Sequence, residues 1–146
     1  MSPEPSGLYC TFYVDGMYFG IDVMQVQEVI RYQEMTVVPL APEIVRGLIN
    51  LRGQIVTAID LRKRLGIEAE RTDLPMNVVI RSGDEAISLL VDEIGDVVET
   101  DPADREDPPP TLQGPARELV SATYKLPGRL LLILDVDRAL TAELVR

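Results

Sequence analysis

Asn50 and Arg52 are the polar residues best placed to do chemistry, because they interrupt the apolar stretch GLINLRGQIVTAIDLRKRL, Gly47 to Leu65. Alternate residues of a strand share a face. Leu48, Asn50 and Arg52 are therefore expected on one side, and Ile49 and Leu51 on the other. A guanidinium and an amide on the outer face of a core strand have two uses. They can be tied down internally, with Arg52 on a nearby carboxylate and Asn50 on turn backbone. They can also present donors to a partner. The two are compatible, since a fixed guanidinium orders its surroundings and still offers donors. Asp60 and Asp135 could be mistaken for catalytic carboxylates, yet each stands directly before a short apolar-periodic segment, the place of an N-cap. The carboxylates of Asp101 to Pro115 are irregularly spaced and lack a Ca²⁺-loop pattern. The chain has no His, so the commonest general base and metal ligand is missing. A hydrolase built on paired carboxylates finds no nucleophile motif and no metal-ligand cluster. No catalytic residue, cofactor or metal is expected.

The elements that must position these residues are short and β-rich. Leu8 to Val14 alternates, Asp15-Gly16 reads as a hairpin turn, and Met17 to Asp22 returns. In VMQVQEVI the period changes: Val23, Val26 and Ile30 sit three and four apart, which predicts a short helical turn. At that spacing Val23, Val26, Val29 and Ile30 are read first as core. Met35 to Val38 is expected as a strand stopped by Pro39 and Pro42. Arg46 to Leu51 and Gln54 to Ile59 pair around Arg52-Gly53, with Gly47 and Gly53 serving positive φ or close approach. Asp60 caps a short helix ended by Gly66. Met76 to Arg81 and Ala86 to Val91 form a hairpin, Val97 to Thr100 is a short strand, and Asp101 to Pro115 is an acidic, Pro-rich loop. Leu119 to Leu126 and Leu130 to Leu134 form the last hairpin, and Asp135 caps a final helix.

The sequence repeats itself. Gly53, Ile55, Val56, Ile59, Asp60, Leu61, Lys63 and Leu65 match Gly128, Leu130, Leu131, Leu134, Asp135, Val136, Arg138 and Leu140 at an offset of 75. Val23, Val26 and Val29 match Val91, Ile94 and Val97 at an offset of 68. An insertion, placed in the Pro-rich loop, separates the copies. A repeat of about 70 residues with about five strands is too long for a solenoid unit. It suggests two small five-stranded barrels, each closing its sheet edges.

Composition narrows the function. A chain of 146 residues is one domain or two small subdomains, and can bury roughly 70% of its unfolded surface. Cys10 is the lone cysteine, which precludes an internal disulfide and fits a reducing compartment. The net charge of −10 repels phosphate backbones and anionic membrane surfaces. With only 5% aromatic residues there is little for nucleobases to stack on, so a small-barrel nucleic-acid binder is disfavoured. The longest aliphatic run, Leu130 to Leu134, is far too short to span a bilayer. The N-terminal MSPEPSG carries no signal region. A soluble, cytoplasmic protein is expected.

Four segments, YFGIDVMQVQEVI, VVPLAPEIVRGLINLRGQIVTAIDLRKRLGI, LLVDEIGDVVE and RLLLILDVDRAL, closely resemble the CheW family of bacterial chemotaxis coupling proteins, over Leu8 to Leu140. The resemblance implies a mainly β fold: two five-stranded β-barrels packed around a shared hydrophobic interface, with short helices. Approximate subdomains run over 8–72 and 76–146, with allowance for a strand exchanged between them. It implies a non-enzymatic adaptor that joins the cytoplasmic tips of methyl-accepting chemoreceptors to the regulatory domain of the histidine kinase CheA, in receptor arrays at the inner membrane. The expected partner-binding residues are Val26, Glu28, Gly47, Asn50 and Arg52. Glu28 stands in the family's Val-x-Glu motif and is the expected salt-bridge partner of Arg52; some of the valines would line a groove for the receptor tip. No phosphoacceptor His, ATP-binding segment or receiver domain is recognised, which favours a free-standing adaptor over the kinase or the adaptor–receiver fusion CheV. Classical chemotaxis, surface motility and another chemosensory pathway all remain open.

Overall fold

The computed structural model describes residues 7–68 and 74–144, the side chains up to residue 140. The segment 1–6 and the subdomain limit at residue 72 lie outside the described residues.

Among the described residues eleven strands form two sheets. They are β1 (Leu8–Val14), β2 (Met17–Asp22), β3 (Val26–Ile30), β4 (Val45–Leu51), β5 (Gln54–Asp60), β6 (Met76–Ser82), β7 (Glu85–Val91), β8 (Glu93–Glu99), β9 (Arg105–Glu106), β10 (Val120–Leu126) and β11 (Arg129–Leu134). Helices α1 (Leu61–Arg64), α2 (Gly114–Leu119) and α3 (Val136–Leu144) are short. One sheet has six strands in the order β8-β1-β2-β11-β10-β9, the other five in the order β3-β6-β7-β5-β4. Each sheet draws strands from both halves of the chain: β1 and β2 join β8 to β11, while β6 and β7 join β3 to β5. Two strands cross in each direction, where the sequence reading allowed for one.

The two sheets are copies of one plan. Parallel pairing of β5 with β7 aligns Thr57 with Ile87, and that of β11 with β2 aligns Leu132 with Phe19. These are the same positions under the offsets read from the sequence. Asp60 N–H donates to Ile44 O and Asp135 N–H to Leu119 O, both at 2.7 Å. The short β9, which places Glu106 opposite Thr123, answers to the single bridge between Thr36 and Leu48. Four buried hydrophobic clusters follow among the described residues. The largest lies between the sheets and takes Phe12, Phe19 and Leu132 from one and Ile59, Ile80 and Leu89 from the other. The opposite faces enclose smaller clusters, around Tyr9, Tyr18, Tyr124 and Leu131 in one sheet and Ile49, Leu51, Val56 and Leu90 in the other. The shared apolar interface expected from the sequence is present.

Four expected elements differ, one of them the loop Asp101 to Pro115, which holds a 3-10 turn over Pro102–Asp104, β9 and the start of α2, so that Leu119 ends a helix rather than opening β10. The helical turn in VMQVQEVI is a 3-10 turn over Val23–Gln25 only, and Val26–Ile30 is strand. The reason is a bulge between Val26 and Glu28: one extra residue breaks the two-residue alternation and leaves three-residue steps. A bulge at the equivalent place, where β8 passes Cys10 and Phe12, hid the first half of β8, which begins at Glu93 rather than Val97. Met35 to Val38 contributes only the bridge at Thr36, with Val37 exposed. The strand count also differs, with six strands in one sheet and five in the other where five in each were expected.

Candidate functional site

Arg52 and Gly53 form the two-residue turn between β4 and β5, with Leu51 opposite Gln54. Their φ angles are +54° and +88°, the left-handed pair that a two-residue hairpin of matching twist requires. Gly53 supplies this at no steric cost. Arg52 does so as a non-glycine residue, an uncommon placement. The turn is braced from behind: Asn50 Oδ1 accepts from Gly53 N–H at 2.9 Å. Arg52 is therefore a turn residue and not a member of an outer strand face with Asn50, which corrects the alternation reading at that one position. The face assignment holds for the strand itself, with Ile49 and Leu51 buried and Asn50 exposed.

Arg52 Nη2 donates to Glu28 Oε2. The pair that the resemblance implied is thus formed. Gln27 Nε2 adds a long contact to the same oxygen at 3.4 Å. The guanidinium hydrogen bond holds the Glu28 carboxyl below the usual glutamate range and raises Arg52 in turn. Glu28 is mostly covered, its side chain 22% exposed, while that of Arg52 is 68% exposed. The carboxylate is the anchor and the guanidinium the presented group, with donors left over.

Gly47 sits in β4 at a bulge. A Cβ there would lie 2.6 Å from Thr36 O and 3.0 Å from Met35 Cβ. Its absence lets the segment after β3 lie against β4, where Thr36 and Leu48 exchange two backbone hydrogen bonds of 2.8 Å. Val26 is half-buried and packs on the core between the sheets. Val29 is exposed and Ile30 packs on a small cluster inside the five-stranded sheet, so the valine steps are divided between core and surface. Exposed Ile55 faces Asn50 across the hairpin. Of the five expected residues, Glu28 and Arg52 are joined by their side chains and Asn50 braces the turn through Gly53 N–H; Gly47 shapes the backbone and Val26 supports the strand from the core side.

Among the described residues no group of three His, Cys, Asp or Glu could hold a metal ion. Asp60 caps α1, its Oδ1 accepting from Lys63 N–H at 3.4 Å, and its Oδ2 takes Arg46 Nη1 at 3.2 Å. Asp135 caps α3, accepting from Arg138 N–H at 3.1 Å. One polar cluster was missed in the sequence: Arg62 with Asp92 and Asp15. Arg62 reads there as part of the basic run LRKR, and no local pattern connects it to residue 92.

The CheW-like domain family model matches residues 8–144. The chain belongs to the CheW family. It is 35% identical over 133 residues to the chemotaxis protein CheW of Bacillus subtilis, covering 90% of this chain and 85% of that one. The Thermotoga maritima chemotaxis protein CheW is 30% identical over 130 residues, with 88% and 83% covered. The crystal structure of the scaffolding protein TtCheW from Thermoanaerobacter tengcongensis superposes with a TM-score of 0.78 at 28% identity, covering 92% of this chain and 87% of that one. This chain is thus a CheW-family chemotaxis scaffold with a mainly β, two-sheet fold. No helix among its described residues is long and apolar enough to cross a membrane.

Proposed function

We propose that this CheW-family chain is a non-enzymatic, cytoplasmic adaptor that couples methyl-accepting chemoreceptor tips to the regulatory domain of the histidine kinase CheA, within arrays at the inner membrane. Val26, Glu28, Gly47, Asn50 and Arg52 form or support its coupling surface. The observation that carries this reading is the Glu28–Arg52 pair. It holds a guanidinium at the tip of a braced turn, on the hairpin that also carries exposed Ile55. A charged donor set among apolar contacts suits recognition of a protein surface, since Arg keeps unused donors for a partner's carbonyls or carboxylates. The net charge of −10 weighs against a nucleic-acid ligand.

The test is a bridging assay. A CheA regulatory-domain fragment is immobilised, and retention of a receptor cytoplasmic-tip fragment is measured with and without this protein. Retention that depends on the protein, and that Arg52→Ala weakens while the fold is kept, is the expected result. No retention with the wild-type chain, or undiminished retention with folded Arg52→Ala, would overturn the reading or the site respectively.

A further inference from the structure

The chain passes between the two sheets twice among the described residues, through Asp22–Gln25 from β2 to β3 and through Asp92 from β7 to β8. These crossovers are equivalent under the internal repeat, but they are not built alike. Asp92 is held from both sides. Arg62, in α1 directly after β5 of the five-stranded sheet, grips its carboxylate with Nε on Oδ1 at 2.9 Å and Nη2 on Oδ2 at 2.7 Å. The same Oδ2 accepts from the backbone N–H of Asp15, in the β1–β2 turn of the six-stranded sheet, at 2.7 Å. Asp92 N–H donates to Tyr13 O at 2.9 Å, and Arg62 Nη1 lies 3.7 Å from Asp15 Oδ1. Arg62 is 12% exposed and Asp92 19%. A bidentate pair so covered is weakly screened and fixes orientation as well as distance.

Under the repeat, the positions of Arg62, Asp92 and Asp15 are taken by Asp137, Met24 and Gly83. An Asp and a Met cannot make a guanidinium–carboxylate fork, and Met24 is 79% exposed. The guanidinium–carboxylate fork therefore stands at one of the two crossovers and is not repeated at the other. The Asp22–Gln25 crossover is held differently, with Asp22 Oδ1 accepting from Met24 N–H at 2.9 Å, whereas the fork on Asp92 ties α1, after the five-stranded sheet's β5, to the β1–β2 turn of the six-stranded sheet.

We propose that Arg62 is a positioning residue: through its fork on Asp92 it fixes the angle between the two sheets, and so the geometry in which an adaptor bridges two partners. The last clause rests on the adaptor reading; the angle itself does not.

The angle is read by spin-label distances in the protein alone. Labels are placed at Arg81→Cys in β6 and Lys125→Cys in β10, both exposed, in a Cys10→Ser background. With Arg62 present a single narrow distance distribution is expected. In Arg62→Gln it should broaden, and in Arg62→Lys, which keeps a charge but not the fork, it should broaden less. Distributions that superpose on the parent's would overturn the clamp; should Arg62→Gln not fold, the Arg62→Lys distribution decides alone. The consequence is read by bridging. Folded Arg62→Lys should bind the CheA regulatory-domain fragment and the receptor-tip fragment singly as the parent does, yet retain the ternary complex about tenfold less well, a modest coupling free energy. Equal losses in single binding and bridging would overturn the positioning role. A parent protein that binds neither fragment would defeat the adaptor reading and leave the distance result standing.

Discussion

Glu28 and Arg52 bond to each other from opposite edges of one sheet. Glu28 lies in β3, the first strand of the order β3-β6-β7-β5-β4, and Arg52 in the turn that ends β4, the last. Five strands laid flat would hold those edges about 19 Å apart, at roughly 4.8 Å per step, beyond the reach of an arginine. The sheet therefore curls until its edges face, and the ion pair together with the Thr36–Leu48 bridge spans the gap. The six-stranded sheet has Asp96 and Pro127 at the equivalent positions, so this fastening belongs to one sheet alone.

Arg52→Ala and Glu28→Ala should each weaken coupling, by roughly tenfold for the loss of one charge-assisted contact, while the denaturation midpoint stays near the parent's. If Glu28 acts by holding Arg52, the double variant should be no worse than the poorer single one. Additive losses in binding would mean two separate contacts. Arg52→Lys should restore only part, since a point charge does not reproduce the fork.

The same pair predicts a pH response. The folded Glu28 carboxyl titrates below its unfolded value because of Arg52. Its contribution is thus complete above the ordinary glutamate range and disappears as pH falls through the depressed folded value. An NMR titration of the Glu28 side chain should find its midpoint below that of free glutamate, and Arg52→Ala should move it up. An unmoved midpoint in Arg52→Ala would show that the pair is not formed in solution.

Two glycines should respond differently to alanine. Gly53 has open space for a Cβ but a φ of +88°, so Gly53→Ala should cost about 1–2 kcal/mol from the left-handed backbone alone. Gly47 has ordinary φ, but its Cβ would stand 2.6 Å from a backbone oxygen. Gly47→Ala should cost about 1–3 kcal/mol by overpacking. It should also speed amide exchange at Thr36 and Leu48, which Gly53→Ala should leave protected. Hydrogen exchange separates the two.

Asp60 is 4% exposed and serves both the α1 cap and Arg46. Asp60→Ala should cost about 1–2 kcal/mol, and Asp60→Asn, which caps about as well, less than about 1 kcal/mol. Chemical denaturation measures both. A folded Asp60→Asn that no longer bound partners would show that the carboxylate does more than cap.

Leu132 in β11 is 6% exposed and packs in the core between the sheets. Leu132→Ala should cost about 2–5 kcal/mol through lost burial and the cavity left behind. A denaturant midpoint equal to the parent's would place this side chain outside the core.

The sequence by itself determined what depends on neighbours along the chain. Asp15-Gly16, Arg52-Gly53 and Pro127-Gly128 mark hairpins because turn backbone needs specific residues within two positions. Asp60 and Asp135 mark helix starts because a cap acts over three. The repeat offsets, 68 and 75, carried the equivalence of the sheets, since equal folds need equal patterns of burial. Glu28 and Arg52 were joined only by resemblance to a family, as no local rule connects residues so far apart. Tertiary structure alone decided the rest. Bulges in β3 and β8 disguised strands as irregular or helical, because one extra residue shifts every later side chain to the other face. Which sheet each hairpin joins was decided by the tertiary structure, since hydrophobic pattern does not say which strand lies alongside. Arg62 became a clamp only because Asp92 and Asp15 fold onto it from elements far along the chain. Such a contact is specified by the path of the whole backbone, so no window of sequence around Arg62 contains it.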